Sequence, residues 1–104
     1  VSDSESIEKI AGIVGCDYKD NNLILAYGKW INPLLDTIRA NGWCFDLMVE
    51  FKIELSPMSD GDWLATYANK YDVNGYVEHV LCHSYADKNP RKAVYTAIIA
   101  AHGG

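Results

Sequence analysis

The stretch Trp43-Cys44-Phe45-Asp46-Leu47-Met48-Val49-Glu50-Phe51-Lys52-Ile53-Glu54-Leu55 carries an apolar side chain at every odd position. Side chains alternate faces along a strand and return every 3.6 residues along a helix. A period of two sustained this long would scatter those apolar groups around a helix. The spacing therefore predicts an extended segment with one buried face and one charged, wet face. The run is longer than the usual strand of about five or six residues. Either one long twisted strand or a bulge near Met48 to Glu50 is expected. An α+β fold follows, with an antiparallel sheet whose apolar face is covered by helices.

Working outward, residues 56–62 (S-P-M-S-D-G-D) are dense in turn formers and predict a hairpin connection. Trp63 to Ala68 reads as the returning strand. Asn69 to Gly75 reads as a second turn, with Asn74-Gly75 a favoured hairpin pair. Tyr76 to Tyr85 is rich in β-formers and completes a three-stranded meander. Asn89-Pro90 then starts a helix to about Ala101, with Ala93, Val94, Ala97, Ile98 and Ala101 as its stripe. Small side chains there let the helix lie close to the sheet.

Toward the N-terminus, Ser2 and Glu5 have capping-box spacing. Ile7, Ile10, Ala11 and Val14 follow as one helical stripe, and Gly15 suits the position after the helix. Residues 16–22 read as a polar turn, and Leu23 to Tyr27 as a short fourth strand ended by Gly28. Trp30 and Ile31 lead to Asn32-Pro33, which predicts a second helix with a buried stripe of Leu34, Leu35 and Ile38, stopped by Asn41-Gly42. The 104 residues predict one domain spanning 1–104. The start at Val1 rather than Met suggests an expression scar or a trimmed start.

Composition narrows the function. Hydrophobic residues make up 49% and charged residues 22%, which is globular rather than disordered. The formal net charge is −5, so no basic stripe is expected to displace counterions from a nucleic acid. An acidic surface suits docking onto a basic protein, although a merely solvated surface carries the same charge. No segment approaches the ~18 apolar residues of a membrane span, and the N-terminal residues are acidic. Cys16, Cys44 and Cys82 are odd in number and widely spaced, which predicts reduced thiols and a reducing cytosol.

His79, Cys82 and His83 are the candidates for metal or nucleophilic chemistry. On a strand, positions four apart lie roughly 13 Å from one another, too far to share one zinc. Adjacent Cys82 and His83 would face opposite ways, so buried structural cysteines are the plainer expectation. Asp46, Glu50 and Glu54 read as a charged strand face. Asp60 and Asp62 fall in a turn, where Asp serves the backbone. No phosphate-binding loop, calcium loop or nucleophile elbow occurs. No cofactor and no enzymatic activity are expected. Three Trp, seven Tyr and two Phe stand out. Trp43, Phe45 and Phe51 are assigned to the core. Trp30, Trp63, Tyr67, Tyr71, Tyr76 and Tyr85 are only partly explained that way, since several lie in or beside turns. Such residues with acidic neighbours recur at protein-binding surfaces, although rim aromatics also cap small cores.

Four segments carry a family resemblance: Ile7-Glu8-Lys9-Ile10-Ala11, Asn32-Pro33, Asn41-Gly42-Trp43 and Asn89-Pro90-Arg91-Lys92-Ala93. Their order resembles the small bacteriophage and prophage proteins grouped as the phage ABA sandwich domain. The long run 43–55 departs from it, where a tighter hairpin is expected. The resemblance implies no catalytic residue. It implies a small cytosolic accessory protein of a phage or prophage that binds a host protein or complex, with inhibition of bacterial defence as one recurrent role. Candidate partner-binding residues are Asp46, Glu50, Glu54, Asp60, Asp62, Trp63, Tyr71 and Asp72. The rivals are a homodimeric structural or assembly protein, and a small hydrolase or metal-binding protein using His79, Cys82 and His83.

Overall fold

Ser2 caps α1 (Asp3–Val14), its hydroxyl accepting the Glu5 N–H at 3.2 Å. The computed structural model describes residues 2–19, 23–73 and 76–102, and for 68–83 it describes the backbone. Ile7, Ile10 and Ala11 form the buried stripe of α1, and Gly15 ends the helix in the left-handed region at φ 76°.

Among the described residues two small antiparallel sheets and three helices make the α+β fold. The first sheet is β1 (Tyr18–Lys19), β2 (Leu23–Ala26) and β3 (Lys29–Ile31). The expected polar turn at 16–22 thus contains a strand; residues 20–22 lie outside the described residues. Tyr27 and Gly28 both have positive φ (55° and 75°), which gives the two-residue hairpin between β2 and β3 its matching twist.

The helix expected at Pro33 is absent. Asn32 and Asn89 make the same local bond, each side chain accepting the N–H two residues on, from Leu34 and Arg91 at 3.1 Å. Only the second continues as a helix. After Pro90 come residues with a buried stripe; after Pro33 come Leu35, Asp36 and Thr37, all exposed. Thr37 is the true cap, accepting the Ala40 N–H at 3.1 Å. Of the stripe assigned to that helix, Leu34 is buried, but Leu35 is 54% and Ile38 is 92% exposed.

From Thr37 the chain forms α2 (Ile38–Phe51), which overturns the extended reading of 43–55. Asn41 and Gly42 sit inside its first turns instead of stopping a helix. Ala40, Trp43, Cys44 and Leu47 are its buried residues, spaced i, i+3, i+4 and i+7. Phe45 and Val49 share the spacing of four but lie on the other side, 62% and 63% exposed. Apolar residues on both faces of a helix, each repeating every fourth position, interleave into a period of two along the sequence. Phe45 therefore is not a core residue. The break comes at Lys52, not at a bulge near Met48. Lys52 caps α2 in the left-handed region at φ 57° and donates its N–H to Met48 O.

The first strand of the meander is thus β4 (Ile53–Pro57), not 43–55. It pairs with β5 (Trp63–Val73), and β5 with β6 (Tyr76–Asp87), both antiparallel. The second strand runs through Val73, so residues 69–73 belong to it and not to a turn; Asn74 and Gly75 lie outside the described residues. The β5–β6 register shifts between Asn69 and Lys70, opposite Leu81 and His79. Finally α3 (Pro90–His102) packs against β4, β5, β6, α1 and α2. Its buried residues, Ala93, Val94, Tyr95, Ala97 and Ile98, sit in one cluster with Ile7, Ile10, Ile24, Trp43, Leu47, Ile53 and Ala65. Among the described residues no helix is long and apolar enough to cross a membrane.

Candidate functional site

The loop from Asn32 to Thr37 is pinned to the start of α3, and this contact shapes the region beside it. Tyr95, fully buried, donates its hydroxyl to Pro33 O at 2.8 Å. Asn89 Nδ2 and Arg91 Nε both donate to Leu34 O, at 2.8 and 3.1 Å. Arg91 Nη1 donates to Asn41 Oδ1 at 2.9 Å, and Asn41 Nδ2 donates to Asp36 Oδ1 at 2.8 Å. Arg91 thus ties the loop, α2 and α3 together. Its side chain is 13% exposed, and its charge faces Asp36 at 3.8 Å.

With α3 fixed there, the two helices leave the end of the second sheet partly uncovered. A groove of about 350 Å³ opens between them, lined by Phe45 and Met48 of α2, Leu55 of β4, Trp63 of β5, and Pro90 and Arg91 of α3. Asn41 and Cys44 complete its wall. The volume lies at the low end of ligand-binding clefts, and the walls are mostly apolar, as such sites are.

Next to the groove lies the outer face of α2, where Ile38, Phe45 and Val49 form an exposed apolar stripe. Asp46 and Glu50, four apart on the helix, are exposed along one flank. Tyr27, at the tip of the β2–β3 hairpin, reaches across and donates its hydroxyl to Asp46 Oδ2. Its Oη lies 3.9 Å from where a Cβ would stand on Gly42. Loss of hydration, then the hydrogen bond to Asp46, push the Tyr27 phenol up to about 12.

The predicted partner-binding residues do not form one face. Asp46 and Glu50 lie on α2 and Glu54 on β4, so the proposed charged strand face does not exist. Asp60 is structural in the 58–62 turn, where its carboxylate accepts the Asp62 N–H at 2.9 Å. Asp62 is half-buried at the start of β5, and Trp63 lines the groove. Tyr71 and Asp72 pair through the backbone with Glu78 and Val77, and their side chains lie outside the described residues. The residues missed were Phe45, Met48, Leu55 and Arg91. A search for apolar residues at i and i+4 on both sides of one helix would have found the first two.

His79, Cys82 and His83 lie on β6 as expected, with their side chains outside the described residues. The register shift beside His79 interrupts the simple alternation of faces assumed for them. Among the described residues no cluster of three metal-ligating side chains occurs. Cys44 is buried, and burial pushes its thiol up to about 11, with Tyr95 and Arg91 pulling weakly the other way. Burial, then Asp17, also raises the half-buried Cys16. Neither thiol holds the thiolate that a nucleophile needs near neutral pH.

Protein-family models, curated proteins and solved structures give no match to this chain.

Proposed function

We propose that this chain is a small phage- or prophage-encoded accessory protein that binds a host protein complex and inhibits or modulates it by occlusion. The observation that carries the binding role is the exposed stripe Ile38, Phe45 and Val49 on α2. Large apolar side chains grouped on one helix face are what a protein partner covers, whereas single exposed ones need no explanation. The net charge of −5, with Asp46 and Glu50 beside the stripe, favours a basic partner surface. A nucleic-acid-handling defence complex, whose channel is basic, has that chemistry. Origin in a phage and an anti-defence role rest on the sequence resemblance.

The test is affinity capture from bacterial host lysate with two forms of the protein, the parent and an Ile38→Asp/Val49→Asp variant. Both substitutions are on the wet face, so circular dichroism should be unchanged. A basic partner captured by the parent and lost with the variant, with association slowing markedly from low to physiological salt, supports the reading. Equal capture by both forms, or association indifferent to salt, overturns it. Light scattering on both forms separates a homodimer, in which the variant alone would be monomeric.

A further inference from the structure

We infer that the groove beside α2 takes a bulky apolar side chain presented on a basic peptide segment of the partner. This deepens the binding role proposed above and rests on it. Phe45, Met48, Leu55 and Trp63 offer walls from three separate elements around about 350 Å³. That space suits one or two anchor side chains better than a large cofactor.

The charge around the groove selects the flanks of that anchor. Arg91 lines the groove, with Nε donating to Leu34 O and Nη1 to Asn41 Oδ1, and Asp36 lies 3.8 Å from Nη1. Asp36 is 80% exposed, so at this end the carboxylate and not the guanidinium meets the solvent. On the sheet side Asp62 directly precedes the groove residue Trp63, whereas Asp87, opposite Trp63 in the ladder, accepts the Asn89 N–H and shares a separate cleft with Lys92. The exposed Asp36 carboxylate beside Arg91, and Asp62 before Trp63, favour cations flanking an apolar anchor over an acidic segment.

Fluorescence anisotropy with a labelled Lys-Lys-Leu-Phe-Lys-Lys peptide tests this. Two twins serve as controls, one with Leu and Phe replaced by Ala, the other with every Lys replaced by Glu. Saturable binding of the parent peptide is expected, with each twin weaker by about tenfold or more. Trp63→Ala and, as a second groove variant, Met48→Arg should each weaken the parent peptide by a similar factor. Ile38→Asp/Val49→Asp should leave it within about twofold. The twins leave the protein untouched, so a variant that misfolds does not blunt the test. No saturable binding, or an alanine twin that binds as well as the parent, overturns the groove inference. If that happens while Ile38→Asp/Val49→Asp still abolishes host-protein capture, the groove assignment falls and the proposed function stands.

Discussion

Helices α2 and α3 are nearly equal in length and both contribute to one core, but they use their apolar residues differently. In α3 the large apolar side chains Val94, Tyr95 and Ile98 are buried, Ile99 is half-buried, and the exposed positions are Ala100 and His102. In α2 the inner face is equally buried through Trp43 and Leu47, while Ile38, Phe45 and Val49 stay in water. Apolar residues that the core does not need are the mark of a surface kept for something else. That contrast is the basis for placing function on α2.

The largest effects should come from the inner faces. Leu47→Ala and Ile98→Ala should each cost about 3 kcal/mol in denaturant unfolding, because both leave cavities in the core. Phe45→Ala and Val49→Ala should stay within about 0.5 kcal/mol. Equal costs for the four would erase the distinction between the helices.

A pH series sharpens the same contrast. The Cys44 thiol on the inner face is raised in the folded state from its ordinary 9.0 to about 11. Its ionisation therefore favours the unfolded chain. Stability from this group is complete below pH 9 and is lost as pH rises toward 11, by about 2–3 kcal/mol. Cys44→Ala should be less stable at pH 8 and lose less across that window; the buried Tyr95 hydroxyl, also raised, leaves some slope. An unchanged slope in the variant would show that Cys44 is not buried as described.

Tyr95→Phe should cost about 1–3 kcal/mol, since it strands Pro33 O in the core and frees the loop that sets the start of α2. Smaller still, but decisive in sign, is Lys52→Gly. A left-handed helix cap favours glycine, so a gain of about 1 kcal/mol is expected. Were residues 43–55 one strand, the same glycine would weaken it instead.

Much of the fold was legible because local signals and burial agree there. Ser2 with Glu5, the stripe Ile7, Ile10 and Ala11, and Gly15 each predict α1 independently. Asn89-Pro90 followed by a one-sided stripe predicts α3, and the turn at 56–62 with the β-rich 76–85 predicts the meander. The failure at 43–55 has one cause. Binary patterning assumes that a helix turns a polar face to water, and α2 does not. The early helix failed with it, because Asn-Pro forms the same bond in a loop as at a helix start, and only the residues beyond decide. Trp63 is the groove residue singled out from the sequence, as part of an acidic, aromatic turn. Phe45, Met48 and Leu55 were not, since the extended reading scattered Phe45 and Leu55 into the core and Met48 to the wet face.

Solvent paramagnetic relaxation of the side-chain NMR signals of Trp43, Phe45, Leu47 and Val49 tests the central claim most directly. A helix with an exposed apolar outer face predicts strong relaxation at Phe45 and Val49 and weak relaxation at Trp43 and Leu47. Four uniformly protected side chains, as one buried strand face would give, would contradict it.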